Sequence, residues 1–279
     1  MDDFVEATAL RNSGDGSWTA TLHESWALWG PSGGFLSALA LRAAGEATAF
    51  PRPVSFACQF LNRAKFAPVQ INVTSLRGGK RTEALRVDME QEGRLIMTAQ
   101  VWVSAQRAPG MVHDYSSVAD LPDPDTLRPY REVYPEEPVF PFLERLGHRP
   151  IDPLPHSDDA PVSEPEIAGF FRLSPTARHE DAFVDAARIF VLIDTHAWLA
   201  TYPAYPTSGG SPWIAPNLDF YYRFHRTSTT EDWLYMKTRA DLAEDGLVAA
   251  EGEIRDRAGR LIARGVSQLM CYPRPESVQ

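Results

Sequence analysis

Ser32-Gly33-Gly34-Phe35-Leu36-Ser37-Ala38-Leu39-Ala40-Leu41-Arg42-Ala43-Ala44 is the stretch whose reading decides the fold. After a small Ser-Gly-Gly opening it is apolar on nearly every side, and a helix that is hydrophobic all round is a buried one. Phe50-Pro51-Arg52-Pro53 then stops it, because proline disfavours helix both at its own position and at the residue before it. Strand-like runs follow at 54–61, 70–77, 83–90 and 95–103. In the third, Leu85, Val87 and Met89 alternate with Arg86, Asp88 and Glu90, the period of a half-buried strand. Gly78-Gly79-Lys80 and Glu92-Gly93 supply hairpin turns. The first half is therefore expected to be one buried helix followed by an antiparallel meander.

The second half repeats this order. The apolar-rich stretch 181–201 reads as helix, and Pro203 and Pro206 stop it. Strand-like runs follow at 218–224, 233–240, 247–255 and 261–272. Phe60-Leu61 and Phe224-His225 occupy similar places, 164 residues apart. Gly93-Arg94-Leu95-Ile96 and Gly259-Arg260-Leu261-Ile262 each precede a last strand, 166 residues apart. Matching order, spacing and element type together point to an internal duplication. Twelve of the 23 prolines fall between Pro109 and Pro165, which reads as a long connection packed on the surface. The expected organisation is an N-terminal unit at 1–106, a proline-rich linker at 107–165 and a C-terminal unit at 166–279.

Composition narrows the function. The chain has 279 residues, 44% of them hydrophobic, enough for a real core. A net charge of −10 argues against nucleic acid and against an anionic membrane surface. Cys58 and Cys271 both lie in apolar, strand-like runs, and buried free thiols in a reducing compartment are expected. The acidic N-terminus lacks the basic start and long apolar run of a signal peptide, and no stretch has the apolar length of a membrane span. A cytoplasmic protein is the expectation. Histidines and cysteines do not gather at metal-ligand spacings, so no metal is expected.

Asp194 attracts attention because it interrupts Ile189-Phe190-Val191-Leu192-Ile193 and Ala197-Trp198-Leu199 on a predicted buried helix. A buried carboxylate loses hydration, needs partners and shifts its pKa upward, towards a useful general base. The alternative is an Asp on a polar helix side shared with Arg188 and Thr201. Asp194 and His196 are two apart and face different sides of a helix, which disfavours a shared Asp/His site. Asn217 follows Pro216 at a strand start, where an amide serves a turn or holds a water. Gln268 is an amide among Val266, Leu269 and Met270 and needs a partner. Gly33 and Gly34 would let a carbonyl or phosphate approach free backbone N–H groups. A plain helix start capped by Ser32 explains them equally well.

Several motifs resemble one family. They are Gly30-Pro31-Ser32-Gly33-Gly34-Phe35, Phe60-Leu61, Leu76-Arg77-Gly78-Gly79-Lys80-Arg81 and Gln91-Glu92-Gly93-Arg94-Leu95 in the first half. In the second they are Ile193-Asp194, Pro216-Asn217-Leu218-Asp219, Phe224-His225-Arg226, Gly259-Arg260-Leu261-Ile262-Ala263 and Gln268. In this order the chain resembles the double-hotdog acyl-CoA thioesterases of the thioesterase II type. The resemblance covers both halves but not the linker. It implies an α+β fold with two tandem hotdog repeats, each a central helix wrapped by an antiparallel sheet. It also implies hydrolysis of an acyl-CoA or similar thioester, with Asp194 activating the attacking water and Asn217 and Gln268 orienting it. Relatives usually carry Thr or Ser where this chain has Asn217. Counted from Ala263, the glutamine position falls on Ser267 instead, and Gln268 is preferred on residue type. Arg77 and Lys80, with Arg63, Lys65 and Arg81, form a basic set for the phosphates of CoA, or else a solvated hairpin rim. No cofactor is implied beyond CoA as part of the substrate. The expected partner is a small acyl thioester, and a dimer of double hotdogs is the expected assembly.

Two rivals belong to other classes. One is a non-catalytic acyl-binding protein, since fold alone does not settle function. The other is a serine esterase, because Gly30, Ser32 and Gly34 match the G-x-S-x-G nucleophile elbow. That elbow needs a preceding strand and a mostly parallel sheet, whereas only 31 residues precede Ser32 and hairpins follow it.

Overall fold

The Ser32 stretch forms its helix at Gly33–Glu46, with the Ser32 Oγ accepting from the Phe35 N–H at 3.1 Å. The computed structural model describes residues 3–28, 30–106, 109–118, 120–135, 140–154, 157–206 and 211–274. In chain order the first half comprises α1 (Phe4–Ala7), β1 (Arg11–Gly14), β2 (Ser17–Thr21), α2 (Gly33–Glu46), β3 (Arg52–Phe60), β4 (Pro68–Gly78), β5 (Thr82–Gln91) and β6 (Arg94–Ser104). Then come α3 (Tyr130–Val133), β7 (Leu146–Pro150), β8 (Glu166–Leu173), α4 (Ala182–Ile193), α5 (His196–Leu199) and β9 (Trp213–Ile214). The chain continues through β10 (Asp219–Phe224), β11 (Leu234–Glu244), β12 (Leu247–Arg255), β13 (Leu261–Met270) and β14 (Tyr272–Pro273).

Among the described residues twelve strands make one antiparallel sheet in the order β1-β2-β4-β5-β6-β3-β10-β13-β12-β11-β8-β7. The order reads as a mirror image about the β3–β10 seam, where Asp219 pairs with Gln59 and Arg223 with Ser55. Each half is a hotdog: α2 lies in one sheet half and α4 in the other. The two helices run antiparallel, with Gly34 against Phe190 and Asp194 and Gly45 against Phe183. Both are buried nearly all round, as the apolar pattern required. One core cluster therefore spans the seam, from Phe35, Leu39 and Phe56 to Phe190 and Phe220.

The duplication is larger than the sequence pattern indicated. β7 and β8 stand to α4 as β1 and β2 stand to α2. The second repeat thus reaches back to Leu146, and the segment 107–165 is not simply a linker but contributes an edge strand. Leu146–Pro150 carries His148, Arg149 and Pro150 instead of an alternating apolar pattern, which suits an edge position. The same segment packs Phe142 into the core and lays the Arg145 guanidinium over the Trp26 ring, 5.6 Å from its centroid. Both cysteines are free, Cys58 buried and Cys271 half-buried. No helix among the described residues is long and apolar enough to cross a membrane.

Candidate active site

The expected helix at 181–201 breaks at Asp194 into α4 and α5. Side chains take the carbonyls that the next helical turn would use. The His196 Nδ1 sits 2.8 Å from the Leu192 carbonyl oxygen, and the Asn217 Nδ2 donates to the Asp194 carbonyl at 3.1 Å. Asp194 is consequently held at the end of α4, beside the start of α2, and is only 7% exposed. The polar side of α4 is no solvent face either. Arg188 and Asp185 form a buried ion pair at 2.8 Å, closed by Ser228.

The Asn217 amide donates to the Asp194 carboxylate, and the backbone N–H groups of Gly34 and Gly33 and the Ser32 hydroxyl lie near enough to favour its ionised form. The Asn217 Nδ2 lies 2.9 Å from Oδ1. Burial pushes the Asp194 pKa up to about 6, and these four groups oppose that shift without cancelling it. The amide of Asn217 has one sensible orientation. Its Nδ2 faces the carboxylate, so its Oδ1 must accept, and it accepts from the Ser267 Oγ at 2.8 Å. Asp194, Asn217 and Ser267 form one hydrogen-bonded line from α4 to β13.

Gln268 is not in that line. From Ala263 to Met270, β13 pairs with β12 without a bulge, so Ala263, Ser267 and Leu269 face the core and Gln268 faces outward. The main chain of Gln268 is used structurally: its N–H donates to the Asp219 Oδ1 at 2.9 Å and its carbonyl accepts from the Leu218 N–H. Residue type favoured Gln268, but strand parity counted from Ala263 selects Ser267, which is 5% exposed. We expect Ser267→Ala to lower turnover about tenfold, the scale of one lost hydrogen bond, and Gln268→Ala to change it less than twofold. Steady-state rates of the two variants check this, and the reverse ranking would restore Gln268.

The expected substrate-binding residues fall in two places. Gly33 and Gly34 lie against Asp194 at the start of α2. Arg77 and Lys80 sit on the β4–β5 hairpin, away from the cluster. Met97 pairs with Phe60 at the cluster's end of the sheet, while Val103 pairs with Glu83 and Glu83 with Gly78. That is six residues of β6, roughly 20 Å. Ser32 caps a helix in an antiparallel sheet, preceded by a short 3-10 turn at Glu24–Trp26 and not by a strand of a parallel sheet. The nucleophile-elbow geometry is absent there. His196 packs against Phe171 with ring centroids 4.4 Å apart, and burial lowers its pKa to about 4. It points to a different environment from Asp194, as the two-residue spacing implied. Among the described residues no three His, Cys, Asp or Glu side chains are placed to hold a metal. Two cavities, one at Arg52–Thr227 and one around His148, of about 10 and 130 Å³, do not include Asp194.

The N-terminal domain family of acyl-CoA thioesterases matches residues 22–104, and the C-terminal domain family matches 115–271. The chain belongs to the acyl-CoA thioesterase family. No curated protein sequence matches this thioesterase. Its fold is shared with a conserved protein of unknown function with hot dog fold from Alicyclobacillus acidocaldarius, at TM-score 0.81, 20% identity and 98% coverage of both chains. It is shared also with the acyl-CoA thioesterase II TesB2 of Mycobacterium marinum, at TM-score 0.76 and 17% identity, covering 99% of this chain and 100% of that one. The tesB protein of Mycobacterium avium subsp. paratuberculosis superposes at TM-score 0.75 and 20% identity, covering 97% and 98%. The thioesterase is thus a double hotdog, and its activity is hydrolysis of an acyl thioester.

Proposed function

We propose that Asp194 is the general base that activates water against the thioester carbonyl. The observation that supports this best is a buried carboxylate hydrogen-bonded by Asn217 beside the start of α2, with its pKa raised to about 6, ionised at neutral pH yet basic enough to take a proton. Ser267 completes the water site. Its one proton is given to the Asn217 Oδ1, so towards a water its Oγ presents lone pairs. A water between Asp194 and Ser267 would donate one proton to each and aim its own lone pair at the carbonyl carbon. Attack forms the C–O bond as the proton moves to Asp194. Collapse breaks the C–S bond, and the proton returns to the departing sulfur, giving acid and thiol. Gly33 and Gly34 hold the carboxylate in place through this cycle.

The pH dependence tests the assignment. A base must be ionised to work, so kcat/KM should rise with pH, reach half its plateau near pH 6 and fall about tenfold per pH unit below that. The rate of thiol release from an acyl-CoA between pH 4.5 and 8 measures it. A flat profile across pH 5–7 would remove Asp194 as the base. Tight binding of acyl-CoA with no thiol released at any pH would favour the non-catalytic binding protein.

A further inference from the structure

The approach to Asp194 is marked by residues that are partly open to solvent. Gly33, Asn217 and Phe60 are half-buried, and a Cβ on Gly33 would lie 2.9 Å from the Phe60 ring. The Phe60 N–H donates to the Leu218 carbonyl at 2.9 Å, which sets Leu218, 36% exposed, beside Phe60, and Leu61, 48% exposed, follows as its N–H donates to the Ile96 carbonyl. The chain then enters segment 62–67, which is pinned at both ends. The Asn62 N–H donates to the Ile96 carbonyl and its Nδ2 to the Leu95 carbonyl, at 3.2 and 2.7 Å. Gln91, 6% exposed, accepts from the Lys65 N–H at 2.8 Å and donates to the carbonyls of Lys65, Ala67 and Pro68.

This clamp ties the segment that carries Arg63 to the end of β5 and to the start of β6, whose first residue is Arg94. Lys65 takes up Glu92 at 2.7 Å. Arg63 and Arg94 are exposed, and among the described residues neither has an ion-pair partner. Arg63 lies three positions beyond Phe60, at most about 11 Å of extended chain. An acidic protein therefore presents two uncompensated guanidinium groups next to an apolar lip at the entrance to its base.

We propose that Arg63 and Arg94 bind the phosphate of a phosphorylated pantetheine thiol, while its arm crosses Leu61 and Leu218 to bring the thioester to Asp194. Guanidinium groups match phosphate geometry. A pinned loop loses little entropy when they engage. The assignment rests on the thioesterase reading and replaces Arg77 and Lys80 as the phosphate contacts.

The test pairs one acyl group with three thiols: CoA, phosphopantetheine and N-acetylcysteamine, the last without phosphate. Arg63→Glu with Arg94→Glu should raise KM for acyl-CoA at least about thirtyfold, with kcat within about twofold, a charge-reversal effect on binding. Turnover of the N-acetylcysteamine thioester should not change, and Arg77→Glu with Lys80→Glu should leave all three substrates alone. An equal KM rise with acyl-phosphopantetheine assigns the contact to the phosphate next to the arm. A rise confined to acyl-CoA assigns it to the nucleotide phosphates and overturns the path across Leu61 and Leu218. An unchanged KM for acyl-CoA, an equal loss on all three substrates, or a loss in the Arg77/Lys80 variant would overturn the proposal. Calorimetric titration with CoA itself reads the same contact without turnover. Weaker CoA binding in the Arg63/Arg94 variant supports the proposal even where wild type releases no thiol, an outcome that would sink the thioesterase reading alone.

Discussion

Asp194→Asn is expected to lose turnover by about 10³-fold while remaining folded, because general-base catalysis by a positioned side chain is worth that order. An amide keeps the size of the carboxylate but cannot take a proton from water. Folding intact is part of the expectation and has its own pH signature. The folded pKa of Asp194, about 6, stands above the 3.8 of a freely solvated aspartate. The native state therefore holds this proton more tightly than the unfolded chain does. At pH above 6 the ionised group costs folding free energy, about 3 kcal/mol by linkage. That cost disappears as pH falls from about 6 to below 4. Asn carries no such term, so the wild type should gain stability relative to the variant on going from pH 7 to pH 4. Thermal melts of both proteins across that range, beside the thiol-release rates, check the two halves together. A variant that turns over at the wild-type rate would remove the base. A stability difference independent of pH would mean that Asp194 is not desolvated as its burial requires.

Legibility of this fold followed the strength of each local signal. The two central helices and the eight meander strands could be read because their apolar periods are long and their stops are proline and glycine. Strands β1, β2, β7 and β8 escaped for two different reasons. β1 and β7 are edge strands of four and five residues without clean alternation, and Arg11–Gly14 is exposed throughout. β2 and β8 alternate or are buried, but they precede their helices, where a pattern of helix followed by meander does not look for them. At the site, Asp194 was legible because a carboxylate inside an apolar helix is physically expensive. Its exact setting was not, because the helix break depends on Asn217 and His196 capturing carbonyls, which are tertiary contacts. Ser267 was accessible to strand parity but lost to residue type, since a glutamine looks more functional than a serine. Ser32 was read as a cap or as a nucleophile. It does cap the helix, and its hydroxyl also reaches Asp194, a contact that needs α2 and α4 to be packed together.

That packing makes Gly34→Ala the second large effect. A methyl group on Gly34 would collide with the Phe190 carbonyl oxygen and lie 2.8 Å from the Asp194 Cβ. Both obstacles belong to the rigid end of α4, so neither can swing aside as a side-chain tip would. The helices must move apart, and overpacking of this kind costs about 3 kcal/mol, or about 10 °C in Tm for a chain of this size. The same displacement carries Asp194 away from the Asn217–Ser267 line. A base moved by about 1 Å loses about 10²-fold in rate, so turnover should fall even at temperatures where the variant is fully folded. Gly33→Ala provides the contrast. Its methyl would meet the far edge of the Phe60 ring at 2.9 Å and the Asp194 Oδ1 at 3.2 Å. The ring can rotate towards solvent, so Tm should drop much less. Melting curves and rates of both variants decide the matter. If Gly33→Ala and Gly34→Ala behave alike, the close helix contact is not what positions the base; if only Gly34→Ala fails, the approach of α2 to α4 sets both the stability of the double hotdog and the place of its catalytic carboxylate.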